Sequence, residues 1–208
     1  MARIITTIGT SAGGLTAADV LTIVRANVGY EYIKFVPVTG TVSLIDITNL
    51  DTTTYSSFRM ICTELNQGGS GAQNGYFQVG YGNAVNSTGN RYNNSWFAMP
   101  QTTSVSYGGN GSSQNYWFAS SFGDGGSGYT WNPQIDFTVT PGRASSDAQI
   151  WVTVNGGTYQ FNGNLAGSHS PSGGTNLNML RIYGGNNITG SASLNSGVHV
   201  FGVRKRSS

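Results

Sequence analysis

The chain has 208 residues, length for one sizeable core, yet only 9% of them are charged and the formal net charge is +2. An average soluble domain carries about 25% charged residues. Ten cations spread over this length form no nucleic-acid stripe, and the single cysteine, Cys62, rules out an intrachain disulfide framework.

The 31 glycines, with abundant Asn, Ser and Thr, give a polar but uncharged chain suited to many tight turns. Disordered chains share the Gly and Ser content but lack aromatics. Here aromatics reach 12%, including Trp96, Trp117, Trp131 and Trp151, so a folded β protein is expected. No cationic leader with an apolar core opens the chain, and no apolar run approaches the ~18 residues of a membrane span. Secretion by a signal peptide and membrane insertion are therefore not expected. The sequons at Asn86, Asn93, Asn110 and Asn187 then reflect Asn, Ser and Thr abundance rather than glycosylation.

Residues 1–14, "MARIITTIGTSAGG", read as a short apolar strand-like piece and a Gly/Ser hinge. The next segment, "LTAADVLTIVRANVG", predicts the one helix. Thr16 can cap it, Asp19 completes a capping box, and Gly29 can end it. Ala17, Leu21, Val24 and Val28 form a seam along that helix. Two heptads cannot hold a coiled coil alone. Either the helix lies on its own domain, or it is a stem around which three copies meet. Residues 1–29 are thus an arm for docking or oligomerisation, and 30–208 a second unit.

From Tyr30 onward the reading is strand and turn. "YEYIKFVPV", "TVSLIDITN" and "YSSFRMICTEL" come first, with Phe58, Met60 and Cys62 on one face. "YFQVGYG" places Phe77, Val79 and Tyr81 together. "QIDFTVT" turns Ile135, Phe137 and Val139 inward and Asp136, Thr138 and Thr140 outward, and "QIWVTVN" does the same with Ile150, Val152 and Val154 inward. "NMLRIY" and "VHVFGV" read as a terminal hairpin that closes the fold, followed by a basic stub, Arg204 to Arg206, either solvated or docked on an acidic partner. Period-two alternation with Gly-rich turns predicts an all-β protein, an antiparallel sandwich. The Gly-rich stretches 66–75 and 108–128 read as ordered excursions from it, because aromatics are threaded through the second.

Chemistry is sparse. His169 and His199 lack ligand partners at metal spacing, so no metal site is expected. The acids Asp19, Glu31, Asp46, Asp51, Glu64, Asp124, Asp136 and Asp147 are scattered singly, whereas glycoside hydrolysis needs two carboxyls on one bond. No phosphate-binding glycine motif or nucleophile elbow occurs, and no cofactor is expected. The expected function is non-enzymatic. One region has binding potential: Tyr107, Tyr116, Trp117, Tyr129 and Trp131 lie among Gly, Ser and Asn. Such rings can stack on sugars, or they can fill the core or a contact between subunits. No cation stands between Arg91 and Arg143, which argues against nucleic-acid stacking.

Two segments carry a resemblance. "SLIDITNLDTTTYSSFRMICTELNQGGSGAQNGYFQVGYGNA", and the end containing Leu180, Arg181, Asn187, Ile188, Gly190 and "VFGVRKR", resemble virion structural proteins of tailed bacteriophages. The likeness covers roughly residues 42–83 and 177–206. It implies a jelly-roll-like domain without catalysis, often in a homotrimeric tail fibre or appendage, made in the host cytoplasm and carried on the virion. The short arm departs from a fibrous shaft, which leaves a short spike, a tail adaptor or a capsid-decorating protein. Implied partners are further copies of the chain and other virion proteins through the arm, with a host-surface glycan open as a third.

Overall fold

A computed structural model describes residues 29–68, 71–82, 84–85, 92–99, 106–125, 131–140, 147–155, 162–169 and 177–205. The predicted arm and helix, with the seam Ala17, Leu21, Val24 and Val28, lie outside these residues.

The strands in chain order begin with β1 (Glu31–Pro37), β2 (Gly40–Val42), β3 (Ile45–Ile47), β4 (Tyr55–Thr63), β5 (Asn66–Gln67) and β6 (Gly71–Tyr81). Next come β7 (Ala84–Val85), β8 (Tyr92–Met99), β9 (Ser106–Gln114), β10 (Trp117–Gly125) and β11 (Pro133–Thr140). The last are β12 (Asp147–Asn155), β13 (Asn162–His169), β14 (Leu177–Gly184), β15 (Ile188–Gly190) and β16 (Gly197–Arg204). They form two sheets packed as a sandwich. The first runs β1-β16-β4-β11-β12-β13-β8-β9; the second runs β2-β15-β5-β10-β6-β14-β3, with β7 beside β6. Among the described residues, pairing is antiparallel apart from one parallel bridge, Gly125 to Gln67.

Alternation builds the core as predicted. Phe58, Met60 and Cys62 of β4, Ile135, Phe137 and Val139 of β11, and Ile150 and Val152 of β12 are all buried. Burial pushes the Cys62 thiol pKa well up, which keeps it protonated and inert. Phe77 and Val79 are buried from the second sheet, but Tyr81, at the strand end, is exposed. In β14 a register shift between Leu177 and Met179 resets the pleat, so Met179 and its neighbour Leu180 are both buried.

Three predicted features differ. "TVSLIDITN" is two strands rather than one, and β2 and β3 occupy opposite edges of the second sheet. Six strand spacings span about 29 Å in a flat sheet, while the three residue steps from Val42 to Ile45 reach at most about 11 Å. The sheet must therefore curl until its edges meet at Ser43 and Leu44. Gln67 fills part of that curl: a Cβ on Gly184 would come within 2.7 Å of the Gln67 side chain.

The terminal segment is not a hairpin either. β14 belongs to the second sheet and β16 to the first, and the chain crosses between them through β15 and a short 3-10 turn, Ala192–Leu194. The buried Ser196 fixes the crossing: its hydroxyl donates to the Glu64 carbonyl at 2.6 Å and accepts the Ser191 N–H at 2.8 Å. Of the basic stub, Arg204 and Lys205 are bonded to the protein itself, Arg204 while largely exposed, and Arg206 lies outside the described residues. Arg204 forms a forked pair with Glu31 (2.6 and 3.3 Å), and Lys205 donates to the Thr52 carbonyl at 2.7 Å.

The Gly-rich stretches, finally, are strands of the sandwich and not excursions from it. β9, β10 and the front of β6 run through them.

Candidate functional site

The predicted aromatic site is split by the fold. Trp117 and Trp131 are both 0% exposed, in the core, where no ligand from solvent can stack on them. Trp117 meets the Tyr92 ring edge-on at 5.1 Å and packs on Gly167, where an added Cβ would stand 2.4 Å from the indole. Tyr116 lies half-buried on the outer face of the second sheet. Tyr107 pairs with Phe97 through the backbone of β9 and β8, and Tyr129 lies outside the described residues. Of the two uses open to these rings, core filling accounts for both tryptophans.

Tyr116 joins a ring cluster. Tyr76 stacks on Tyr183 with centroids 4.9 Å apart and planes at 9°, and Tyr116 meets Tyr76 edge-on at 5.1 Å; Phe118 lies 5.3 Å from Tyr76. Register explains the cluster, since Tyr183, Tyr76 and Phe118 stand opposite one another on β14, β6 and β10. Two residues back along β14, on the same face, Arg181 makes two bonds to Asp46, at 2.6 and 2.7 Å. Burial, and then the neighbouring Tyr116 and Tyr76, push the Tyr183 hydroxyl pKa well up. The rings on this face satisfy one another.

The outer face of the first sheet is built differently. One row of opposed positions crosses it: Arg59 on β4, Asp136 on β11, Trp151 on β12, Ala166 on β13 and Ser95 on β8. The next row holds Thr138, Gln149 and Asn93 in the same order of strands, with Ser168 between the last two. Trp151 is 50% exposed. Beside it the sheet falls away to Ala166, which has no bulk to cover the indole. The result is an open hollow of about 570 Å³, lined by Trp151, Gln149, Thr138, Asp136, Ser95 and Asn93 among others.

The hollow is held in shape. Arg59 makes two bonds to Asp136, at 2.7 and 3.0 Å, and its guanidinium lies 4.5 Å from the centre of the Tyr30 ring. The Trp151 Nε1–H donates to Thr153 Oγ1 at 3.2 Å, which anchors one edge of the indole. Beneath, the Asn94 side chain donates to the Phe118 carbonyl at 2.7 Å and accepts the Phe118 N–H at 3.2 Å, tying β8 to β10 of the other sheet. The floor is therefore part of the sandwich and not of a loop.

Asp51 and His199 are engaged within the fold. Asp51 accepts from the Thr53 hydroxyl (2.5 Å) and from the Thr53 and Thr54 N–H groups, and these bonds, Thr53 first, hold its carboxyl well below the usual range. His199 lies against Phe35, ring centres 4.7 Å apart. Among the described residues, no three His, Cys, Asp or Glu side chains gather as a metal site would require.

Trp151, the exposed ring of this hollow, lies outside the aromatic stretch 107–131 that the sequence singles out. The signal was present, because alternation that turns Ile150 and Val152 inward turns Trp151 out. No protein-family model, curated protein or solved structure matches this chain.

Proposed function

We propose that this chain is a non-enzymatic structural protein of a tailed-phage particle, a tail-appendage or capsid-surface component that assembles with copies of itself. The observation that carries the reading is spatial. The two segments that resemble such proteins lie about 100 residues apart in the chain, yet they pair strand by strand. β14 lies between β3 and β6, and β16 lies on β4. Arg181, from the second segment, is bonded to Asp46, from the first. Two separate runs of likeness thus make up one contiguous part of the sandwich, as expected when a likeness reflects a shared framework rather than shared composition.

The test is direct. Mass spectrometry of gradient-purified particles should find the chain, and gold-labelled antibody should decorate the tail or capsid surface. Light scattering on the purified protein should give three times 21.9 kDa. A chain absent from purified particles would overturn the reading. A strict monomer at micromolar concentration would remove its trimeric part.

A second reading, a carbohydrate-binding module, no longer rests on Trp117 and Trp131. The exposed Trp151 is what favours it.

A further inference from the structure

We infer that the hollow beside Trp151 binds an uncharged oligosaccharide. Sugars present an apolar face of C–H groups and a rim of hydroxyls, so a site for them combines one accessible aromatic plane with several small hydrogen-bonding groups. Trp151 supplies the plane. Gln149, Thr138, Asn93 and Ser95 supply the rim, each able to donate and accept. Ala166 supplies the space, because a larger residue opposite Trp151 would lie over the ring. The volume of about 570 Å³ falls within the roughly 300–1,000 Å³ usual for small-ligand sites.

Charge selects among ligands. Among the described lining residues, Asp136 is the one acidic or basic side chain, and Arg59 holds it through two bonds. Each carboxylate oxygen keeps acceptor capacity beyond the bond it makes to Arg59, and a sugar hydroxyl can use it. A phosphate or sulfate would need an uncommitted cation, and Arg59 is committed both to Asp136 and to the Tyr30 ring. A peptide adding as a strand would need a sheet edge, whereas β12 and β13 are interior strands. What remains is a neutral, hydroxyl-rich ligand on a rigid floor, for which few groups must be ordered on binding.

The site does not depend on the particle reading. Sugar binding can fail in a protein that is found on particles, and it can succeed in one that is not.

The experiment is a titration of the ¹⁵N-labelled full chain, following the Trp151 indole N–H and the backbone amides of β8, β12 and β13 around the hollow, which remain as the readout when Trp151 is replaced. The probes are neutral tri- and tetrasaccharides built from glucose, galactose, mannose and N-acetylglucosamine, in both α and β linkage, with sialylated and sulfated oligosaccharides as the charged comparison. At least one neutral probe should shift those signals saturably in the millimolar range or below. Trp151→Ala should weaken binding about tenfold or more, the upper end of what one stacked ring contributes. Ala166→Phe should abolish binding while the β spectrum is unchanged, which guards against a variant that simply misfolds. Flat titrations across the panel would overturn the inference. So would binding that both variants leave intact, or binding confined to sialylated or sulfated sugars and lost in salt.

Discussion

The two outer faces carry the same ionic device and use it to opposite ends. Each sheet turns outward an arginine bonded twice to an aspartate on the neighbouring strand: Arg59 to Asp136 on the first, Arg181 to Asp46 on the second. Beside Arg181 stand four rings packed on one another; beside Asp136, on the side away from Arg59 and its Tyr30 ring, stands Trp151, with alanine for its other neighbour. Packed rings stabilise the protein and leave little for a ligand. A lone exposed ring contributes little to folding and keeps its face open. Which neighbour stands one strand over decides between stability and recognition, and a single β13 position makes the difference.

The hardest way to break this comparison is from below. Gly167 lies under the hollow, next to Ala166, and its inward side is filled by the Trp117 indole. Gly167→Ala puts a methyl carbon 2.4 Å from that ring. A fused aromatic in a closed core cannot swing aside as a flexible side-chain tip can. The expected cost lies at the upper end of the about 1–3 kcal/mol typical of overpacking. Calorimetry should show a melting temperature several degrees lower. An unchanged melting temperature would mean that β13 can shift outward, and then that the floor of the hollow is not rigid.

The next test sets ring against ring. Tyr183→Ala removes a stacked and edge-on set of contacts from the second sheet, and aromatic pairs contribute about 0.5–1.5 kcal/mol each beyond buried area. A loss of about 2 kcal/mol in denaturant unfolding is expected. Trp151→Ala removes a larger ring, but one half in solvent, and should stay within about 0.5 kcal/mol. If the larger ring also proves the more stabilising, the face of the first sheet is a packing surface and the contrast fails.

How much of this could be read from the sequence depends on where the information lies. β4, β11 and β12 were legible because their period-two pattern is a property of the strand itself. Phe137 and Ile150 point inward by parity alone, and Trp151 points outward by the same count. β8, β9, β10 and β13 were not legible. Their Gly, Asn and Ser residues show no alternation, and they are strands because of what they meet, as when Asn94 bonds the Phe118 backbone. The fate of Trp117 was hidden for a similar reason. A tryptophan among Gly, Ser and Asn reads equally as a sugar platform or as core, and the glycine that makes room for it, Gly167, lies 50 residues further on. The crossing of residues 185–196 between sheets depends on Ser196 reaching Glu64 and Ser191, bonds that no local pattern announces.

The smallest effect tests the shared device itself. Asp136→Asn and Asp46→Asn keep the shape of each side chain and remove the charge. All four partners are about one-quarter to one-third exposed, at 33% and 31% for the first pair and 26% and 29% for the second. Solvent therefore screens both pairs alike, and each substitution should cost no more than about 1 kcal/mol. The two costs should agree closely and shrink together in 1 M salt, where the screening length falls to about 3 Å. Ligand binding should separate what stability does not. Only Asp136→Asn alters the lining of the hollow, since an amide oxygen is a weaker acceptor and Arg59 loses its neutralising partner. Were Asp46→Asn to weaken saccharide binding as much as Asp136→Asn, the two faces would be coupled through the core, and the division of labour between them would not hold.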